Sequence, residues 1–250
     1  MLDKNEWIDK FAKPFWKKST EEQDYQLFMR DEPRPMVPDP NYIFSCADGI
    51  VLYNTLVKSA QEKIEVKGVP YSVDDILGDE TTLDGPCLVC GVFMTFADVH
   101  LNRVPVTGVL KYKMIQPIRT LNFTMSFDEE KIFGKKIGPR FRRQDIVNEV
   151  GTKVENLYLY NNSRMINTFY VPELDYKYYI VQVADYDVNT ILHFSPFQDK
   201  LAFQCDRFSF IRWGSQTTMV FPLRKDLNIK PLIPKDMHVK AGLDKVASFL

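Results

Sequence analysis

The stretch Thr217-Thr218-Met219-Val220-Phe221 decides the fold that we predict for this chain. β-Branched and aromatic residues dominate it, which is typical of a strand, and it is too apolar to lie outside a core. Three other segments have strand-like alternation or a β-rich composition: Ile64 to Val69, Val109 to Ile115, and Tyr178 to Val183. Turn residues separate them, so the chain is predicted to be rich in short strands.

An amphipathic helix is predicted near the N-terminus, over residues 3–18. Its apolar face carries Trp7, Ile8, Phe11 and Phe15. This face suits either docking on the chain's own core or lying at a bilayer interface. Ser19 and Glu22 have the spacing of a capping box for a second short helix that runs toward Met29.

One further short helix is expected at Ser72 to Leu77, where Ser72 can cap the first turn and Gly78 can end the last. The last third of the chain repeats a pattern of an acidic turn, an apolar residue and a second turn, at residues 199–206 and 236–242. This pattern favours paired β-hairpins.

Prolines between Pro33 and Pro40 end the N-terminal helical region, so we place a boundary near Pro40. The predicted fold class is α+β. N-terminal helices within residues 1–40 pack on a β-rich barrel or sandwich core with hammerhead-like hairpins, within residues 41–250.

Composition and charge limit the kinds of function. The 250 residues have a formal net charge of -1, which gives no global attraction to nucleic acid. The N-terminus is charged and has no apolar signal segment. The nearly apolar stretch from Cys87 to Val99 is shorter than the roughly 20 residues of a membrane-spanning helix. We expect a cytoplasmic protein whose membrane contact, if any, is peripheral.

The chain contains four cysteines: Cys46, Cys87, Cys90 and Cys205. Without an export signal, reduced thiols are expected in place of a disulfide framework. Cys87 and Cys90 form a C-x-x-C, but no second pair of cysteines or histidines lies at ligand spacing. No metal site is therefore predicted.

The dipeptide Gly214-Ser215 offers a specific chemistry. A serine hydroxyl can attack the preceding carbonyl if the backbone is held in a strained turn, and glycine tolerates such conformations. The resulting ester can eliminate to dehydroalanine, which tautomerises and hydrolyses to a pyruvoyl group and ammonia. The pyruvoyl ketone can form a Schiff base with a substrate amine and accept electrons when carbon dioxide leaves, as pyridoxal phosphate does. Gly-Ser is also a common turn dipeptide, so further motifs must decide.

Three separated motifs favour a cleavage site over an ordinary turn at Gly214-Ser215. They are Ser45-Cys46-Ala47-Asp48-Gly49, the run Phe93 to Gly108 with Asp98-Val99-His100-Leu101-Asn102-Arg103 inside it, and Arg207 to Ser215, which ends in Ile211-Arg212-Trp213-Gly214-Ser215. In this order they resemble the phosphatidylserine decarboxylase family, and in particular its short-chain branch. The resemblance runs from about Tyr42 to the end of the chain and includes Val181-Gln182-Val183.

The resemblance implies a proenzyme that cleaves itself between Gly214 and Ser215 into chains 1–214 and 215–250. Its cofactor would be a covalent pyruvoyl group derived from Ser215, and its reaction the conversion of phosphatidylserine to phosphatidylethanolamine. The two cleaved chains would stay associated, because the strand after Ser215 belongs to the core. Formation of a homo-oligomer is left open.

His100 is the second residue that the resemblance implies in catalysis. A family histidine in this motif assists proton transfer, and the ordinary pKa of an imidazole suits reprotonation of a carbanion. In an extended segment Asp98 projects on the same face as His100 and could orient its ring. The alternative is a structural histidine, hydrogen-bonded in a core strand.

Asp48 matches an aspartate that in longer family members belongs to an Asp-His-Ser relay, although Asp-Gly is also an ordinary turn. The histidine of that relay is replaced here by Arg103, which stays protonated and cannot act as a base. Either His100 serves both steps, or strain and Asp48 activate the serine. Arg103 could instead bind a substrate carboxylate or phosphate, and Asp98 is a second candidate for substrate binding.

The substrate is less specified than the cofactor. Ala184-Asp185 stands where the family usually has Gly-Ala, which indicates a reshaped pocket. A soluble amino acid is therefore an alternative to an aminophospholipid, and a degenerate, non-catalytic binding module is a third possibility. A basic cluster could meet anionic headgroups or simply be a solvated loop: Lys135, Lys136, Arg140, Arg142 and Arg143.

Overall fold

A computed structural model describes residues 2–15, 30, 32–67, 69–78, 81–95, 97–116, 159, 162–184, 191–194, 198–211 and 215–249, with the backbone alone at 15 and 215. The strands in these residues are β1 (Leu2–Asp3), β2 (Tyr42–Phe44), β3 (Gly49–Val57), β4 (Lys63–Val66), β5 (Val69–Ser72), β6 (Cys87–Met94), β7 (Leu101–Arg103), β8 (Gly108–Ile115), β9 (Arg164–Val171), β10 (Tyr176–Ala184), β11 (Ile191–His193), β12 (Lys200–Ala202), β13 (Arg207–Ile211), β14 (Ser215–Pro222), β15 (Lys230–Pro231), β16 (Met237–Val239) and β17 (Lys245–Ser248). The helices are α1 (Lys4–Trp7), a π-helical turn (Ile8–Ala12), α2 (Lys13–Phe15), α3 (Val73–Leu77) and a 3₁₀ turn (Pro172–Leu174). The described chain is thus mostly β-sheet with few helices.

A nine-stranded antiparallel sheet forms the centre of the fold, in the order β1-β16-β3-β6-β14-β10-β9-β8-β12. Strand β14 lies in its middle, with β6 on one side and β10 on the other. Among the described residues, the edge strands β1 and β12 are not paired with each other, so the sheet is open. The barrel form of the predicted core is therefore wrong, because the strand pairing leaves two free edges.

Both faces of this sheet are covered. Two three-stranded sheets, β11-β13-β7 and β15-β17-β2, pack on one face, where Phe208, Ile211 and Val246 meet Val92, Met219 and Phe221. The β4-β5 hairpin and α3 cover the other face, where Ile64, Val73 and Ile76 meet Val89 and Val220. Strand β14 is consequently buried on both sides.

Three predicted strands and the short helix are confirmed, as β8, β10, β14 and α3. Ser72 caps α3 by accepting from the backbone of Asp75, and Gly78 follows with φ +65°. The single strand predicted at Ile64 to Val69 is wrong: the chain turns at Lys67, whose φ is +52°, and continues as β5. The predicted acidic turns occur at Asp199 and Asp236, both with positive φ, directly before β12 and β16.

The N-terminal helix begins after Asp3, whose side chain accepts from the backbone N–H groups of Asn5 and Glu6. Its apolar face docks on the chain's own core, since Trp7 and Ile8 are buried whereas Phe11 is 42% exposed. Strand β1 before it pairs with β16. The second predicted helix, from Ser19 toward Met29, and the basic cluster at 135–143 lie outside the described residues.

All four cysteines are buried and free of disulfides. No helix within the described ranges is long and apolar enough to cross a membrane.

Candidate active site

The Gly214-Ser215 bond lies at the connection between β13 and β14. Residues 212–214 are outside the described ranges, whereas Ser215 is the first residue of β14. Its backbone is opposite Met94 of β6 and Ala184 of β10. The candidate cleavage site therefore sits at the end of the central strand, with paired strands on both sides.

His100 lies between the segment that precedes this bond and the end of β6, the strand paired with β14. Its Nδ1 is 3.0 Å from the carbonyl oxygen of Ile211, the last described residue before the bond. Its Nε2 is 2.9 Å from the carbonyl oxygen of Thr95, which follows the strand partner of Ser215. The backbone carbonyl of His100 also accepts a hydrogen bond from the Ile211 N–H, at 3.1 Å. The imidazole is fully buried.

The two carbonyl contacts determine which protonation states His100 can hold. Burial lowers the pKa of His100, and the Thr95 carbonyl, the Asp98 carboxylate and the Ile211 carbonyl oppose that shift without cancelling it. A neutral imidazole donates to one of the two carbonyls, and an imidazolium donates to both. His100 can therefore take up a proton in place, with an acceptor already positioned for it.

The Asp98 carboxylate does not hydrogen-bond the His100 ring directly, as the sequence suggested, because its two oxygens bond Thr95 and His238. Residues 98–100 are not a strand, so the assumed alternation does not apply. One carboxylate oxygen of Asp98 accepts from the backbone N–H and hydroxyl of Thr95, both at 2.8 Å. The other is 2.7 Å from Nε2 of His238, a histidine 140 residues away. Burial alone would raise the pKa of Asp98, but His238 and Thr95 hold it below its ordinary value.

Asp48 forms a buried ion pair with Arg34. Its two oxygens accept from Nη1 and Nη2 of Arg34 at 2.7 and 2.6 Å, and the Arg34 side chain is 3% exposed. The backbone N–H of Ala241 donates to the same carboxylate at 2.8 Å. Gly49 after it has φ +151°, and a Cβ there would lie 2.0 Å from the carbonyl oxygen of Phe93, so only glycine fits. The hydrogen bonds of Asp48 thus go to Arg34 and Ala241, and none goes to His100.

Arg103 is buried beside the last part of the chain. Its Nη1 donates to the carbonyl oxygen of Cys205 at 2.9 Å, and its backbone N–H donates to Cys46 at 2.8 Å. A Cβ on Gly242 would lie 3.1 Å from Cδ of Arg103. The guanidinium is thereby packed against backbone.

A buried polar network lies near the start of β14. Gln182, opposite Thr217 in the sheet, donates from Nε2 to Asn102 Oδ1 and, at 2.6 Å, to Ser209 Oγ. Its Oε1 accepts from Asn167 at 3.0 Å. All four side chains of this network are fully buried. Asn102 and Gln182 occur in the quoted motifs, but sequence reasoning assigned them no role.

A cavity of about 290 Å³ brings some of the predicted site residues together. Asp48, Asp98, His238 and Trp7 line it. The described residues contain no cluster of three or more side chains that could hold a metal ion. A pyruvoyl group made from Ser215 would lie at the start of β14, near the His100 ring that contacts the carbonyls of Ile211 and Thr95.

A family model described as phosphatidylserine decarboxylase matches residues 25–247. The chain belongs to the phosphatidylserine decarboxylase family. This is a family of carboxy-lyases. The match includes the three motifs around Asp48, His100 and Ser215.

Individual members of the family show the same likeness. A putative archaetidylserine decarboxylase proenzyme of Methanocaldococcus jannaschii is 33% identical over 85 residues, 34% of this chain and 39% of that protein. A phosphatidylserine decarboxylase proenzyme of Novosphingobium aromaticivorans is 30% identical over 95 residues, 38% of this chain and 34% of that protein. One from Geotalea uraniireducens is 24% identical over 205 residues, 81% and 70% of the two chains. The first two matches thus span well under half of those relatives, and no solved structure matches significantly.

Arg34 and His238 are the two charged or titratable partners that sequence reasoning missed. Each pairs with a predicted site residue, Asp48 and Asp98 respectively. Arg34 lies in the proline-rich segment, which was interpreted only as a boundary. The one available signal for His238 was its rarity, since the chain has three histidines.

Proposed function

We propose that this chain is a proenzyme that cleaves itself between Gly214 and Ser215 and then acts as a pyruvoyl-dependent decarboxylase of phosphatidylserine, forming phosphatidylethanolamine. The observation that supports the proposal most is the placement of His100. Its ring contacts the carbonyl of Ile211, four residues before Ser215, and the carbonyl of Thr95, which follows Met94, the strand partner of Ser215.

In the cleavage step, the Ser215 hydroxyl attacks the Gly214 carbonyl carbon while its proton passes to His100. The Gly214 carbonyl moves from the Ser215 nitrogen to the oxygen, giving an ester, and the nitrogen regains a proton. Loss of the Ser215 Cα proton then expels the Gly214 carboxylate, and water converts the dehydroalanine to the ketone and ammonia. His100 is the base in this proposal because Arg103, in place of the second family histidine, cannot accept a proton.

In the decarboxylation step, the pyruvoyl group would accept the electron pair that is left on the substrate carbon when carbon dioxide departs. His100 returns a proton to the substrate carbon. Burial lowers the pKa of His100, so its imidazolium is a stronger acid than an exposed one, and it donates readily. The carbonyls of Ile211 and Thr95 hold the ring in one orientation during both steps.

The substrate proposal follows the names of the relatives, which are phosphatidylserine and archaetidylserine decarboxylase proenzymes. A serine lipid carries the primary amine that the ketone requires and a carboxylate on the adjacent carbon. Such a substrate implies peripheral contact with a membrane, on its cytoplasmic side. A free amino acid would satisfy the same chemistry, and the assay below separates the two.

Intact-mass spectrometry of the purified protein tests the cleavage. We expect chain 1–214 and a chain 215–250 that is lighter by one ammonia than the Ser215-initiated peptide and is blocked to Edman degradation. Ser215→Ala should remain one chain and release no carbon dioxide, whereas the control Ser59→Ala, in the turn before β4, should behave as wild type.

Carbon dioxide release from phosphatidylserine vesicles and from free amino acids tests the substrate. Release from the vesicles supports the proposal, and release only from free amino acids overturns the lipid assignment. An active protein with an intact chain and an ordinary Ser215 would overturn the proposal as a whole.

A further inference from the structure

A continuous set of hydrogen bonds connects His238 with His100. Nε2 of His238 is 2.7 Å from Asp98 Oδ1, and Asp98 Oδ2 accepts from the Thr95 N–H and hydroxyl at 2.8 Å. The Thr95 carbonyl then lies 2.9 Å from Nε2 of His100 and also accepts from Asp98 N–H at 3.0 Å. All four residues are at most 6% exposed.

His238 is also held from its other side. The Trp7 ring stacks on the imidazole with centroids 4.8 Å apart and an interplanar angle of 12°. This contact and the Asp98 bond together leave the ring little freedom to rotate. The N-terminal helix thereby supports the turn that Thr95 and Asp98 close.

His238 is too far from Ser215 to act on it directly. It lies on β16, and β3 and β6 separate that strand from β14. Neighbouring strands are about 4.8 Å apart, so three steps place it roughly 14 Å away. A proton relay is also excluded, because the connection passes through the Thr95 carbonyl, which accepts hydrogen bonds but carries no exchangeable proton.

We propose that His238 and Asp98 are positioning residues, which fix the turn at residues 95–98 and through the Thr95 carbonyl hold the His100 ring in its working orientation. The inference rests on the proposed function, in which His100 transfers the protons. If His238 no longer donates to Asp98, the carboxylate loses one of its partners in a buried site and the turn loosens. The carbonyl that orients His100 then shifts.

Two substitutions of His238 separate its hydrogen bond from its packing. His238→Phe keeps an aromatic ring against Trp7 but removes the donor to Asp98. His238→Gln keeps an N–H donor but removes the ring. We expect His238→Phe to lower kcat for phosphatidylserine by about 10- to 100-fold, with KM changed less than about threefold, because misplacement of a proton-transfer group affects the chemical step. His238→Gln should recover most of that loss.

Because His100 is also the proposed base of cleavage, kcat is expressed per cleaved chain, with the cleaved fraction taken from the intact mass. Equal kcat in wild type and His238→Phe would overturn the inference, as would equal losses in the Phe and Gln variants.

An NMR measurement separates this inference from the proposed function. The imidazole ¹⁵N signals of His100 should shift in His238→Phe and return toward wild type in His238→Gln. His193, on β11 and outside this set of hydrogen bonds, is the internal control and should not shift. If wild type releases no carbon dioxide, the proposed function fails, and unchanged His100 signals in His238→Phe would still overturn the positioning role.

Discussion

At the scale of single residues, the charge of the buried Asp48 carboxylate is neutralised by Arg34. Its carboxylate and the Arg34 guanidinium are both almost completely buried and share two hydrogen bonds. Two ions of opposite charge in bidentate contact tolerate burial, whereas either ion alone does not. Arg34 also donates to the carbonyl of Ala241 at 2.9 Å, and Ala241 donates to Asp48. The pair therefore fastens residue 241, in the part of the chain after Ser215, to the part before it.

Replacing one ion of this pair should destabilise the fold. In the uncleaved Ser215→Ala protein, we expect Asp48→Asn to lower the free energy of unfolding by about 3 to 5 kcal/mol, because the buried Arg34 keeps only the longer ionic contact with Glu32, at 3.9 Å. Urea unfolding measures the loss. The matched control is Arg34→Gln with Asp48→Asn, which removes both charges and should recover much of the stability. The contrary outcome is that Asp48→Asn leaves the stability unchanged but blocks cleavage when Ser215 is present. That result would support the relay role that the family resemblance implies, and it would contradict a mainly structural role for the ion pair.

The residue-scale contacts were only partly predictable. His100 and Asp98 could be singled out because they lie in one short motif with a recognisable spacing. The partner of Asp98 could not, because His238 is distant in sequence and reaches Asp98 only after β16 pairs with β3. The alternation of side chains in an extended segment suggested His100 as the partner of Asp98. This prediction was wrong because residues 98–100 do not form a strand.

At the scale of elements, Tyr53 connects three strands. It lies on β3, and its ring crosses Gly91 of β6, where a Cβ would lie 2.2 Å from Cζ of the ring. The hydroxyl reaches Thr218 Oγ1 of β14 at 2.7 Å and accepts from Gln216 Nε2 at 2.9 Å. Tyr53 thus holds the residue next to Ser215 from across the intervening strand.

Removal of this hydroxyl should weaken the start of β14. We expect Tyr53→Phe to lower the free energy of unfolding of the Ser215→Ala protein by about 1 to 3 kcal/mol, because Gln216 and Thr218 lose a partner in a dry site. The control is Tyr170→Phe, whose hydroxyl bonds Asp175 at the surface and whose loss should cost less than about 0.5 kcal/mol. Urea unfolding measures both variants. Equal losses of unfolding free energy in Tyr53→Phe and Tyr170→Phe would contradict the role of Tyr53 in holding the start of β14.

Three of the long strands were predicted, whereas β3, β6 and β9, of similar length, and the shortest strands were not. Strands β8, β10 and β14 are eight or nine residues long, so their composition or alternation extends over enough positions to be recognised. Strands β2, β7 and β16 have three residues each, too few to show a period. Their conformation depends on partners that are distant in sequence, such as β17 for β2.

At the scale of the whole molecule, the two prospective chains are interleaved. Within the described residues, the part after Ser215 contributes β14 and β16 to the large sheet and β15 and β17 to a small one. Strand β14 pairs with β6 from Ser215 to Pro222 and with β10 from Ser215 to Val220. Cleavage before Ser215 would break one covalent bond at the end of β14 and leave these pairings in place. This topology could not be derived from the sequence, because nothing local specifies that β14 inserts between β6 and β10.

Chain 215–250 should therefore stay bound to chain 1–214 after cleavage. Phe221 and Phe249 are almost completely buried, and burial of each such side chain contributes about 1.5 to 3 kcal/mol to the association. We expect the two chains to co-elute in size-exclusion chromatography in buffer and to separate only in guanidinium. Phe221→Ala, which removes a ring stacked 4.7 Å from that of Tyr178, should lower the guanidinium concentration needed for separation, because it leaves a cavity. Leu232→Ala, at a half-exposed side chain, is the control and should not. Elution of chain 215–250 by itself in buffer would show that the sheet does not hold the cleaved strand.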